Sequence, residues 1–302
     1  ISDTYEIVAS VHPDEAIRKP SAFVAATAHQ IISKKIKPSN ENELPYNLTR
    51  ERVDPNIAAA LLFLASEQYA DANEAASNIK IVEDGQLYEA RILCEHIRDL
   101  ARGQLTNILD RAERWRPDNR FFPTLEIQAT AVLFETLVVG VEILAAKLLG
   151  KNLPEINAYK KYNTSKDAFE KVLQNSTRNA KQDGFSYLSA YTGPGHLASL
   201  LLTAVKSLEN AALINTTLPK GADENFWLSW LTYRAQKFPF IWPNHRKALE
   251  KNFHKVGTSA VMVLPTGAGK TTVSSIKIAN TIANDKKVIF LAPTHALVDQ
   301  LT

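Results

Sequence analysis

The sequence predicts a mostly α-helical N-terminal domain, residues 1–237, followed by the start of an α/β domain with a parallel sheet, residues 238–302. Three observations carry that reading. Apolar residues recur in three- and four-residue steps from about residue 20 to 236, the spacing of buried helix faces. After residue 258 the pattern changes to short runs rich in Val and Ile. A glycine-containing loop joins the first such run to a helix-like segment. Strand, loop, helix, strand is a βαβ unit with a right-handed crossover.

Along the helical part, Asp54-Pro55 supplies a cap and a first-turn proline and opens the Ala/Leu-rich run Ile57–Ala76. Leu87, Ala90, Cys94, Ile97, Ala101, Leu105, Ile108 and Ala112 mark one face of a single long helix ending near Trp115. Arg116-Pro117-Asp118-Asn119 breaks it. Thr124 caps the next helix and Gly150 closes it. Further helices are expected at Ser165–Asn179, His196–Ile214 and Glu224–Lys237, with Tyr191-Thr192-Gly193-Pro194-Gly195 as a loop. Leu218–Asp223 and Phe238–Pro243 are candidate joints. Beyond them, Ser259–Leu264 and Lys287–Ala292 read as strands flanking a helix at Thr271–Ala283.

Composition narrows the function classes. Of the 302 residues, 45% are hydrophobic, enough for two soluble cores. The formal net charge is +3, yet residues 241–302 hold eight Lys or Arg against three acids, leaving −2 for the rest. The basic balance sits beside the glycine loop, where phosphates would bind. Cys94 is the single cysteine, which excludes an internal disulfide and a cysteine metal site and suits a reducing cytoplasm. The most apolar stretch, Ala129–Leu149, carries Glu135, Glu142 and Lys147, so it reads as a buried core helix and no membrane partner is expected. The chain begins at Ile1 rather than Met and reads as a piece of a longer polypeptide.

Leu264-Pro265-Thr266-Gly267-Ala268-Gly269-Lys270-Thr271-Thr272 lies between the first strand and the helix. Gly267 and Gly269 allow turns closed to residues with a Cβ, so successive N–H groups point at one anion. The following helix directs its positive end at the same place. Lys270 supplies a charge for the β- and γ-phosphates of ATP, and the Thr271 hydroxyl is placed to ligate Mg²⁺. The strict pattern has Gly where this chain has Leu264. The segment resembles the relaxed form, Ala-Pro-Thr-Gly-x-Gly-Lys-Thr, of superfamily 2 helicases.

Pro293-Thr294-His295-Ala296-Leu297-Val298-Asp299-Gln300 resembles helicase motif Ia, Pro-Thr-x-x-Leu-x-x-Gln, at every specified position. The last 60 or so residues, about a fifth of the chain, are thus similar to the start of the first RecA-like domain of a superfamily 2 (DExD/H-type) helicase. The resemblance implies ATP and Mg²⁺ as cofactors. It also implies strand-backbone contacts from Pro293, Thr294 and Gln300, and a nucleic-acid partner, DNA ranked ahead of RNA. Trp242-Pro243-Asn244-His245-Arg246-Lys247-Ala248-Leu249 sits where many such helicases read adenine, with His245 at the usual Gln position. His245 or Asn244 could bond an adenine edge, with Trp242 or Phe240 stacking on it. The competing reading is a hydrophobic lead-in segment. The family's Asp-Glu pair and second motor domain are not in these residues, so this chain alone is expected to be inactive.

The helical part offers weaker signals. Arg91 and His96 fit the Arg-x4-His spacing of helical HEPN-type ribonucleases, although Ile92 stands where that family has a polar residue; a helix-surface histidine is the competing reading. The Trp227-Leu228-Ser229-Trp230 cluster with Tyr233 reads as packing rather than as a base-stacking platform. Asp183, His196 and Glu224 show no metal-ligand spacing. An all-helical appendage on such a motor is expected to dock a partner protein or guide nucleic acid, or to make the chain a nucleotide-gated partner-binding module. The layout resembles Hachiman-type helicase subunits of bacterial antiphage defence.

Overall fold

The computed structural model describes residues 1–35, 53–81, 87–116, 121–153, 157–182, 185–265, 268–289 and 291. The chain divides into two compact units. The first comprises Ile1–Asn215 with Arg234–Phe240, and the second Thr216–Tyr233 with Ile241–Thr302.

The first unit is helical: α1 (Ser2–Val11), α2 (Glu15–Lys35), α3 (Pro55–Ala65), α4 (Tyr69–Ser77), α5 (Tyr88–Arg102), α6 (Leu105–Ala112), α7 (Leu125–Leu149), α8 (Ser165–Ser176) and α9 (Thr192–Ala211). At its centre lies α3, buried from Ile57 through Ala65 and packed on α2, α4, α5 and α9. A helix apolar all round belongs in such a core. Asp54 caps it, accepting from the Asn56 amide at 2.7 Å, and Pro55 fills its first turn. Beside it, α7 runs from the Thr124 cap, whose hydroxyl accepts from the Ile127 amide, to the left-handed Gly150. No helix among the described residues is long and apolar enough to cross a membrane.

Three expectations are corrected here. The stripe from Leu87 to Ala112 spans two helices, because Gly103 at φ 71° ends α5. The Gln104 amide then returns to the Asp99 carbonyl at 2.8 Å, the bonding of a Schellman end. Both helices bury their apolar residues, so the stripe runs on across the break. The 57–76 run is likewise cut at Ser66-Glu67-Gln68, Glu67 standing at φ 61°. Third, the segment expected to continue α8 and then loop forms an antiparallel hairpin, β1 (Thr177–Gln182) with β2 (Phe185–Ala190), registered from Thr177↔Ala190 to Gln182↔Phe185. The next helix begins at Thr192, inside the expected loop.

In the second unit lie most of α10 (Glu224–Ala235), α11 (Pro243–Glu250) and α12 (Lys270–Ala283). Val273, Ile276, Ala279, Asn280 and Ala283 make the buried face of α12. Among the described residues the expected strands do not form; Phe290 and Ala292 lie outside them. Residues 258–265 and 286–289 take no regular structure, with Val261 93%, Val263 89% and Ile289 87% exposed. Parallel strands need hydrogen-bonding neighbours at their edges and helices over both faces. The described residues of this unit supply α11 and α12 but no further strand.

Candidate phosphate-binding site

The described part of the glycine loop is Pro265 with Ala268 and Gly269, running directly into α12; Thr266 and Gly267 lie outside the described residues. Gly269 sits at φ 77°, in the left-handed region, as the residue before the helix. A Cβ there would stand 2.3 Å from the His245 Nε2, so both the backbone and the space require glycine. The Ala268 amide donates to the Pro265 carbonyl at 3.2 Å and the Val273 amide to the Gly269 carbonyl at 3.2 Å. These bonds bend the chain into the helix start.

Lys270 and Thr271 are exposed on the first positions of α12, with Thr272 half-buried behind them. Among the described residues the Lys270 ammonium reaches the Pro265 carbonyl, at 3.4 Å. An exposed ammonium and hydroxyl beside helix-start amides that have no side-chain cap among the described residues form a place where a phosphate and its metal ion fit. Among the described residues no group of three His, Cys, Asp or Glu could hold a metal ion by itself.

The structure gives His245 a different task from the adenine contact expected of it. Its ring is 2% exposed and lies against the loop. Nε2 is 3.0 Å from the Ala268 carbonyl, to which the Asn244 amide also donates at 2.8 Å. The carbonyl only accepts, so His245 carries its proton on Nε2. Burial pushes its pKa down, against the smaller upward pull of that carbonyl, and keeps the ring neutral. Trp242 stacks on the imidazole at 5.7 Å and 3°. Phe240, the other candidate for an adenine stack, lies in the first unit against Tyr69 at 5.2 Å and 12°. Asn244 and His245 are thus backstops that fix Ala268, and Trp242 fixes His245.

A second set of contacts holds the segment leading to the loop. Lys277 donates to the carbonyls of Phe253, Thr258 and Lys255 at 2.9, 3.2 and 3.3 Å, and its ammonium lies over the Phe253 ring. Asn280 donates to the His254 carbonyl at 2.7 Å. Burial, with Lys277 nearby, lowers the pKa of His254. Sequence reasoning missed Lys277 and Asn280. Their position on the inner face of the helix was the available signal, a lysine and an amide where an apolar residue would fit.

The other candidates are not gathered here. Pro293, Thr294 and Gln300 lie outside the described residues, as does Asp183. His196 pairs with Glu6 in the first unit. Trp227 is buried with Trp230 stacked on it at 5.4 Å, and Tyr233 is exposed. His96, expected on a helix surface, is 0% exposed. Arg111, which can only donate, lies 3.0 Å from its Nδ1, so the Nε2–H donates to Glu142 at 3.3 Å. Burial lowers its pKa further than Glu142 raises it, and the ring is neutral. Closed off in this way, His96 cannot reach a phosphodiester, which removes the ribonuclease reading within one chain.

Residues 243–302 match the family described as "Type III restriction enzyme, res subunit". The match covers the backstop helix α11, the glycine loop, α12 and the second motif, about a fifth of the chain, and makes this segment similar to a helicase-type ATPase family. No curated protein and no solved structure matches the chain.

Proposed function

We propose that this chain is the N-terminal part of an ATP-dependent nucleic-acid helicase or translocase, with residues 238–302 beginning a RecA-like motor domain. The observation that carries the reading is the junction at Gly269, where a left-handed glycine with no room for a Cβ delivers an exposed Lys270 and Thr271 to a helix start. ATP binds with its phosphates at the helix start, on the backbone N–H groups of Gly269 and Lys270. Lys270 would hold the β- and γ-phosphates, and Thr271, with Thr272 behind it, would offer its hydroxyl to Mg²⁺, whose chemistry here would be to neutralise phosphate charge. His245 and Asn244 hold Ala268 so that these amides stay converged before the nucleotide arrives, an arrangement that costs no reorganisation on binding. Pro293, Thr294 and Gln300 contact the sugar-phosphate backbone of one strand, DNA ahead of RNA. Such contact is sequence-independent, as a translocating motor requires. The helical unit serves a partner protein or the strand, in a layout like that of antiphage-defence helicase subunits.

Exposed apolar side chains on α1 and α2, including Ile7, Val11 and Ile31, favour a second reading in which the helical unit is a docking module gated by nucleotide. The motor reading is tested by Lys270→Ala in the protein carrying both motor domains. ATP turnover should fall about 10²–10³-fold, the scale of losing one preorganised charge on a transferring phosphate. Normal turnover in that variant would end the assignment.

A further inference from the structure

A groove of about 410 Å³ opens between α5 and the end of α6 in the helical unit. Its volume is in the range of small-ligand sites. Its walls combine Tyr88, Arg91, Arg111, Arg114 and Trp115 with the polar tips of Asn107 and Asp110. Arginines beside aromatic faces are the combination that holds single-stranded nucleic acid, charge for phosphate and a ring for a base.

The cations in this groove differ in how they are held. Arg111 is committed. Its guanidinium bonds Glu95 at 2.7 Å, Asp99 at 2.8 Å and the His96 ring at 3.0 Å. Arg91 lies over the Tyr88 ring at 5.0 Å, and its buried Nε–H has no acceptor among the described residues. Neither Arg91 nor exposed Arg114 is ion-paired among the described residues. Glu95 is taken up by Arg111, so among the described residues two guanidiniums without an ion pair face one remaining carboxylate of the groove, Asp110.

The groove is also built on a rigid floor. The Trp115 Nε1–H donates to Glu142 at 2.7 Å, and Tyr159 donates to the same carboxylate at 3.1 Å. Arg116 pairs with Glu142 as well and lies over the Trp115 ring. Burial would raise the Glu142 pKa, but His96 and Arg116 pull it down, so a charged carboxylate stays in the core. A buried charge is costly unless fully bonded. Here it fixes Trp115 directly and Arg111 through His96, while leaving the rim arginines free.

We infer that this α5–α6 groove binds one nucleotide of a single-stranded nucleic acid, with its phosphate on Arg91 and Arg114 and its base edge at Asn107 and Asp110. The groove binds and does not cleave, since His96 is shut behind it. The inference stands apart from the ATP chemistry at Lys270.

The test is fluorescence anisotropy of a labelled single-stranded oligonucleotide, without ATP, on the whole chain carrying Lys270→Ala. Binding that survives there and depends on the groove separates this inference from the motor reading. The Arg91→Ala/Arg114→Ala pair should weaken binding about 100-fold and lower the salt slope by about two units. Tyr88→Ala should weaken it about tenfold. Asp110→Asn, a change of one exposed side chain that leaves the floor intact, should strengthen it. Unchanged affinity and salt slope in the arginine pair would overturn the inference. So would an Asp110→Asn variant no tighter than its parent, or groove-dependent binding of a free mononucleotide or an acidic peptide in place of the strand.

Discussion

The two units of this chain reach order by different routes. In the helical unit the core is closed: α3 is buried along its whole length, and even a glutamate, Glu142, is enclosed with every partner it needs. In the second unit the apolar runs around the glycine loop lie open, Val261 and Val263 among them, while polar contacts from α11 hold Ala268 and polar contacts from α12 hold the segment leading to the loop. A loop that must receive an anion cannot be built from apolar packing, because its amides have to stay unpaired and facing outward. What fixes it is a set of bonds to its carbonyl side. His245 and Asn244 take the Ala268 carbonyl, which leaves the Gly269 N–H, on the other side of that peptide, to a phosphate.

That contrast can be broken first at Gly269. Gly269→Ala forces a Cβ onto the His245 ring and strains a left-handed backbone, which should displace Lys270 and cut ATP turnover about 10²-fold, the scale of an ångström-level misplacement. Adding His245→Ala removes the clash but not the strain, so steady-state kinetics should show partial recovery. No recovery would mean that the ring is not the backstop.

The enclosed network of the helical unit is sharpened by Glu142→Gln. The buried side of Arg116 then loses its anion, at a cost of about 3 kcal/mol. Calorimetry should show the helical unit melting roughly 6–12 °C lower. An unshifted melt would show that Arg116 finds water or another acceptor.

A smaller effect concerns α1. Glu6 joins it to α2 and α9 by bonding His29 at 2.9 Å and His196. Burial raises its pKa, yet the hydrogen bonds from His196 and His29 outweigh that and bring it from 4.5 to about 2. A depressed carboxyl stabilises the fold above its unfolded value and loses that contribution as pH falls towards its folded value. Melting temperature should therefore drop between pH 4.5 and about 2, and Glu6→Gln should flatten that part of the curve. Equal slopes in both proteins would exclude Glu6 as the cause.

How much of this was legible varied with the range of the interaction. Helix α7 could be read because its signals are local, a Thr124 cap and a Gly150 stop. The break between α5 and α6 was signalled by Gly103 alone, and an apolar stripe continuous across it hid that signal. The hairpin had its mark too, since Asp183-Gly184 between two six-residue strands is a strong turn sequence. The helical spacing of Ser165–Asn179, which runs into the first strand, masks it. The glycine loop was readable because a phosphate cradle is a contiguous motif. The surroundings of Glu142 were not, because its partners lie 46, 27, 26 and 17 residues away and meet only through helix packing. His245 fell between these cases, its residues noticed but its Ala268 partner 23 positions distant.

The central claim, a nucleic-acid motor begun by residues 238–302, is tested most directly by ATP turnover of the protein carrying both motor domains, measured with and without single-stranded DNA, duplex DNA and RNA. The account predicts strong stimulation by a nucleic acid, DNA above RNA. Robust turnover indifferent to all three would contradict it and leave the nucleotide-gated docking module as the function of this chain.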